Sequence, residues 1–157
     1  MRQTLAHMRS LVAESMADPS VVIFARSFAL RGGQREYRKQ AELIQAWLRG
    51  VWVFVDDPLD REFLVAPGAL MSMATSFGRI VGDCDEAAML GAALGQAIGL
   101  APQFVVLGFA SPDAGADGRM AHVYTQLLTP DGDTISLDVT RPDGPLPEVT
   151  RSWVMDV

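Results

Sequence analysis

The sequence predicts an α+β fold in which helices precede an antiparallel β-sheet. Apolar residues recur at helical spacing through residues 1–51, and a second helical pattern runs from Asp85 to Ile98. After residue 103 the pattern changes to short segments in which polar and apolar residues alternate, which is typical of strands. Helices followed by strands, without regular βα alternation, indicate the α+β class.

Length and composition indicate one globular domain over residues 1–157. The 157 residues are 49% hydrophobic and 20% charged, and a chain of this size buries roughly 70% of its unfolded surface. The net charge is −6 and the pI is about 4.8, so the chain has no basic surface of the kind that nucleic acids require. We therefore expect no nucleic-acid partner.

Cysteine and histidine are scarce. Cys84 is the single cysteine, and the histidines are His7 and His122. An intramolecular disulfide is excluded, and we predict neither a metal centre nor an organic cofactor. No apolar run approaches the ~20 residues that span a membrane, so we expect a cytoplasmic protein without membrane contacts.

Three helices are predicted before residue 52. The first ends near Asp18, which then caps a second helix that has Pro19 in its first turn and ends at Gly32 and Gly33. The buried face of the third helix is predicted to contain Tyr37, Ala41, Ile44, Leu48 and Val51.

A β-prone segment over 51–55 follows, and we expect irregular chain around 61–64 and 67–68. The helix from Asp85 ends near Gly99. Its Gly91 and Gly95 cost about 1 kcal/mol each relative to Ala, which indicates close approach of another element.

The predicted strands are Gln103–Phe109, Ala121–Leu128 and Thr134–Val139. Between the first two lies a Gly- and Asp-rich segment, 110–118, for which we keep two interpretations. It is either a flap over a site or a solvated connection.

Turn residues predict the register of the last hairpin. Pro130 and Asp131 suit the centre of a type I turn, and Gly132 suits the left-handed position after it. Tyr124 then faces Asp138, and His122 is the diagonal neighbour of Asp138 on the same sheet face. A two-residue turn at 131–132 would instead put the imidazole and the carboxylate on opposite faces.

Cys84 directly precedes the glycine-bearing helix, where the helix dipole favours a thiolate. Asp83, Asp85 and Glu86 oppose a thiolate, so an adjacent His122 imidazolium is needed. If the three residues converge, Cys84 is a nucleophile, His122 its base and Asp138 the group that orients the imidazole.

Four segments together resemble the transglutaminase-like superfamily, in particular its small bacterial and bacteriophage branch. They are Gly82-Asp83-Cys84-Asp85, the helix that ends at Ile98-Gly99, Ala121-His122-Val123-Tyr124 and Leu137-Asp138-Val139-Thr140. The similarity covers roughly residues 40–142. It implies a papain/transglutaminase-like fold, with a cysteine-bearing helix packed on an antiparallel sheet, and a catalytic triad of Cys84, His122 and Asp138.

Further site residues are predicted around this triad. Candidates for oxyanion stabilisation or substrate binding are Trp52, Tyr124 and Asp83, beside the Cys84 backbone N–H. The acidic residues near the cysteine lack the spacing of a calcium loop, so no metal role is assigned to them.

The resemblance implies cysteine-dependent acyl transfer on an amide or peptide bond through a thioester, with hydrolysis favoured over crosslinking. The alternative is a noncatalytic structural or interaction module, such as a phage assembly component. We expect a peptide or protein substrate, with a homo-oligomer or a phage structural partner as further expectations, and a location in the bacterial host cytoplasm or in the virion. Residues 1–35 are predicted to form a helical extension to a core of about 36–145.

Overall fold

The computed structural model describes residues 2–57, 63–109, 120–140 and 148–157. These residues form five helices and six strands. The helices are α1 (Arg2–Ser15), α2 (Pro19–Gly32), α3 (Tyr37–Val51), α4 (Pro67–Phe77) and α5 (Cys84–Ala97). The strands are β1 (Trp52–Phe54), β2 (Ile80–Gly82), β3 (Ala101–Phe109), β4 (Met120–Leu128), β5 (Thr134–Leu137) and β6 (Val149–Asp156).

Four strands form an antiparallel sheet in the order β5-β4-β3-β6, while β1 and β2 form a separate parallel pair. Helix α5 packs against β3 and β4, and most of its residues are buried. The predicted α+β class is therefore confirmed, with the cysteine-bearing helix lying on the antiparallel sheet.

Helices α1 and α2 pack on α5 and share its core. Leu5 and Met8 of α1 and Phe28 of α2 are almost fully buried in the same hydrophobic cluster as Leu94 of α5. Asp18 caps α2 as predicted, because its carboxylate accepts a hydrogen bond from the Ser20 N–H at 2.8 Å. The helices predicted as an extension thus contribute directly to the core.

The hairpin register follows the turn residues. Gly132 has a φ of 93°, and the Thr129 N–H donates to the Asp133 carbonyl at 2.8 Å. Strand β4 pairs with β5 so that Thr125 lies opposite Leu137. The three-residue loop is therefore confirmed over the two-residue alternative.

Helix α4 contradicts the expected irregular chain at 67–68. Pro67 occupies the first turn of a helix, where its missing N–H costs nothing, and Leu70 and Met71 bury the face of α4. Gly78, with a φ of 68°, ends the helix. The Pro67-Gly68 pair is typical of a turn, but burial of the apolar residues that follow it stabilises a helix instead.

Strands β2 and β6 are additions to the predicted set. Strand β2 has three residues, too few for a periodic pattern, and every residue of β6 except Met155 is exposed, so no run of buried apolar residues marks this strand in the sequence. β6 pairs along β3 and extends the sheet to four strands. The candidate flap at 110–118 lies outside the described residues.

The contact between α5 and β4 explains one of the two helix glycines. A Cβ on Gly95 would overlap the side chain of Leu127, which is fully buried. A Cβ on Gly91 would meet Leu137 and Thr125 at 3.6 and 3.7 Å, which is ordinary van der Waals contact. Close approach therefore requires glycine at position 95 but not at position 91.

We predict that Gly95→Ala destabilises the protein by about 1–3 kcal/mol, because overpacking against Leu127 exceeds the gain in helix propensity. Gly91→Ala is the matched control and should be neutral or stabilising by up to about 1 kcal/mol. Urea unfolding of the two variants measures the difference. Equal effects would show that α5 does not depend on close approach at residue 95.

Candidate active site

The central feature of the site is a hydrogen-bonded pair formed by His122 on β4 and Asp138 just after β5. Nε2 of His122 lies 3.0 Å from Oδ1 and 3.1 Å from Oδ2 of Asp138. The two side chains are only 12% and 14% exposed. Because the carboxylate accepts from Nε2–H, the neutral imidazole presents Nδ1 as its acceptor nitrogen.

Cys84 is the first residue of α5 and is partly buried. The backbone N–H of Val123, the residue that follows His122, lies close enough to the sulfur to stabilise a thiolate there. The thiol itself donates to Oδ1 of Asp85, at a sulfur–oxygen distance of 3.6 Å. The fold thus joins His122 to Asp138 and places the Cys84 sulfur near the residue that follows His122, with the thiol directed at the Asp85 carboxylate and not at the imidazole.

The surroundings of Cys84 disfavour its thiolate. Burial raises the pKa of Cys84 to about 12, the negative charges of Asp85 and Asp83 add to this increase, and the Val123 N–H opposes it. This opposition is the one expected from the acidic residues around Cys84 in the sequence. An activating base is therefore required before the sulfur can act as a nucleophile.

Glu86 is the buried carboxyl group of the site and is 2% exposed. It completes a capping box: its Oε2 accepts from the Asp83 N–H at 3.1 Å, and the Asp83 carboxylate accepts from the Asp85 N–H at 2.8 Å. Oε1 accepts from the Val65 N–H at 3.1 Å. Glu86 therefore ties the chain before α4 to the turn that carries Cys84.

Burial raises the pKa of Glu86 to about 7, and the neighbouring Asp83 carboxyl adds to the effect while backbone N–H donors oppose it. From the sequence, Glu86 is expected only as one of the acidic residues that oppose a thiolate, and its burial is not predicted. The D-x-x-E spacing of Asp83 and Glu86 was the available signal for the box, whereas the burial depends on tertiary packing.

The further candidates lie around this centre. The indole Nε1 of Trp52 donates to the Gly82 carbonyl at 3.2 Å, which holds β1 against the chain that leads to Cys84. The Tyr124 ring lies 6.1 Å from the His122 ring, centroid to centroid. Asp83 is the N-cap of α5. Trp52 and Asp83 are thus engaged in shaping the Cys84 turn, and Tyr124 lies beside the imidazole.

One group of described side chains has the spacing to hold a metal ion. The carboxylates of Asp83 and Asp85 and the Cys84 sulfur have ligand atoms within 4.8 Å of one another. Two of these groups already have other roles, since Asp83 caps α5 and Asp85 accepts the thiol hydrogen. We assign no metal to them.

Comparison of the chain with protein-family models, curated proteins and solved structures finds no match. Among the described residues, no helix is both long and apolar enough to cross a membrane.

We predict that Glu86→Gln weakens the pH dependence of stability between about pH 5 and 8. A carboxyl group whose pKa is higher in the folded state binds more protons when folded. Its contribution to the free energy of unfolding is therefore fully present below the pKa of the unfolded state and is lost as the pH rises through the folded-state pKa near 7. The wild type should lose on the order of 1–3 kcal/mol over this range.

Denaturant unfolding at several pH values measures this loss. Glu42→Gln is the matched control, because Glu42 is exposed on α3 and its replacement should leave the wild-type pH dependence intact. If the stability of Glu86→Gln changed with pH in the same way as that of the wild type, Glu86 would not be the group with the raised pKa.

Proposed function

We propose that this protein is a cysteine-dependent acyl-transfer enzyme of papain/transglutaminase-like fold that acts on an amide or peptide bond. The observation that carries the proposal is the buried His122–Asp138 pair, which lies one residue from the backbone N–H that contacts the Cys84 sulfur. A nucleophile, a base and a group that orients the base are the parts that such chemistry needs.

In the first half of the reaction, Nδ1 of His122 takes the thiol proton and the Cys84 sulfur attacks the carbonyl carbon. Asp138 holds the imidazole in the Nε2–H form and stabilises its positive charge. The oxyanion forms beside the Cys84 backbone N–H at the start of α5, where the helix dipole favours negative charge.

The tetrahedral intermediate then collapses. The carbon–nitrogen bond breaks, the leaving amine takes the proton from His122, and the acyl group remains on sulfur as a thioester. In the second half, His122 takes a proton from water, the resulting hydroxide attacks the thioester, and the thiol is regenerated with release of a carboxylic acid. An amine in place of water would give transfer instead; we favour hydrolysis.

Apolar surface next to the cysteine supports a peptide or protein substrate. Val53 and Phe54 on β1 and Val81 on β2 are 42–48% exposed, and β2 leads directly into the Cys84 turn. Exposed apolar side chains beside a candidate nucleophile provide contacts for the side chains of an extended peptide.

The decisive measurement is the alkylation rate of Cys84 by iodoacetamide as a function of pH, in the wild type and in His122→Ala. A thiolate–imidazolium pair predicts labelling that persists well below the ordinary thiol pKa of about 8.5 and falls by at least about 10-fold in the variant. The single cysteine makes the mass-spectrometric signal unambiguous.

His7→Ala is the matched control, because His7 is exposed on α1 and its removal should leave the labelling profile unchanged. Labelling that rises only at high pH, and equally in the wild type and His122→Ala, would contradict the proposed enzymatic function. It would favour the noncatalytic module, which is supported by the partial burial of the thiol and by its hydrogen bond to Asp85.

We further predict that Asp85→Asn accelerates alkylation of Cys84 about 3- to 10-fold at pH 8. The Asp85 carboxylate raises the pKa of the thiol by its charge and by accepting the thiol hydrogen, so its neutral isostere allows more thiolate.

Asp56→Asn makes the same change in net charge at an exposed position and serves as the control. An unchanged rate in Asp85→Asn, or an equal increase in both variants, would show that Asp85 does not control the thiol.

A further inference from the structure

Strand β5 lies at one edge of the four-stranded sheet, and α3 runs alongside it. The Gln45 side chain donates to the Ser136 carbonyl at 3.3 Å, and the Arg49 guanidinium donates to the Asp138 carbonyl at 3.2 Å. Ser136 and Asp138 are two residues apart, so an extended chain directs their carbonyls to the same side. These two side chains of α3 therefore bind the outer edge of β5.

The arrangement follows from helical spacing. Gln45 and Arg49 are four residues apart, so their side chains lie on one face of α3, adjacent to the face that buries Ile44 and Leu48 in the core. Packing of those apolar residues fixes the helix, and the polar residues beside them then reach the strand backbone.

The contact between α3 and the edge of the sheet also involves Asp138, the hydrogen-bond partner of His122. Asp138 lies one position beyond the end of β5, so it follows the last residue paired with β4. Its side chain is held by His122 and its carbonyl by Arg49. The bond from Arg49 thus restrains the main chain of the residue whose carboxylate orients the imidazole.

We propose that Arg49, supported by Gln45, is a positioning residue that holds Asp138 in the orientation required for its bond to His122. The catalytic meaning of this role rests on the proposed acyl-transfer function, whereas the geometric role does not. Arg49 acts through the Asp138 backbone and touches neither the imidazole nor the sulfur.

The same helix offers a matched control. Arg38, also on α3, pairs with Asp133 of the hairpin loop at 3.2 Å, and the two side chains are 58% and 60% exposed. Such an exposed pair contributes little to stability. Arg38→Ala therefore removes an α3–hairpin contact and one positive charge without affecting Asp138.

The test is NMR of protein labelled with ¹⁵N in histidine, recorded over about pH 5 to 9. The chain has two histidines, so exposed His7 provides an internal reference. In the wild type we expect His122 in the Nε2–H form. In Arg49→Ala the ratio of the Nε2–H to the Nδ1–H form should fall roughly 2- to 30-fold. Arg38→Ala should retain the wild-type ratio.

A wild-type ratio in Arg49→Ala, or an equal fall in Arg38→Ala, would overturn the positioning role. Because both arginines are exposed, we expect both variants to unfold at the same temperature as the wild type. An unchanged unfolding temperature shows that a change in the tautomer ratio is local. The result is independent of iodoacetamide labelling. If Cys84 shows no labelling at low pH but the tautomer ratio of His122 still falls in Arg49→Ala, the acyl-transfer function is contradicted and the positioning role of Arg49 stands.

Discussion

The close approach of α5 to β4 is the contact on which the candidate site depends. Gly95 lets the helix lie against Leu127, and the buried Thr125 hydroxyl donates to the Ala88 carbonyl at 2.6 Å. Glycine at one position and a short hydrogen bond two turns earlier fix both the distance and the rotation of the helix on the strand. Because the helix is fixed in this way, the Cys84 sulfur at the start of α5 lies near the backbone N–H of Val123, the residue that follows His122 on β4.

The start of α5 serves two opposing requirements. A helix N-terminus is stabilised by carboxylates, and Asp83 and Glu86 provide them in a capping box. The negative charges of Asp83 and of the neighbouring Asp85 disfavour a thiolate on the first helical residue, Cys84. The carboxylates that stabilise the start of α5 therefore oppose ionisation of the thiol at the same turn of the chain.

Local rules predicted the parts of the fold that depend on neighbouring residues. The Asp18 cap, the end of α2 at Gly32 and the loop over residues 130–132 follow from the preferences of single residues, and the loop fixed the register that joins His122 to Asp138. Features that depend on distant residues were not predictable. β6 is placed by its pairing with β3 and has every residue but Met155 exposed, and Arg49 reaches a carbonyl 89 positions away along the chain.

The hairpin has a consequence for how the molecule assembles. His122 and Asp138 are 16 positions apart and are joined through a three-residue turn, so bringing them together closes a short loop at small entropic cost. Cys84 reaches the same place only when a helix docks on the strand, through contacts between residues much farther apart in sequence. This difference in sequence separation favours a folding order in which the imidazole and carboxylate meet early and the sulfur arrives last. Chemical reactivity at Cys84 would then report the final docking step of folding.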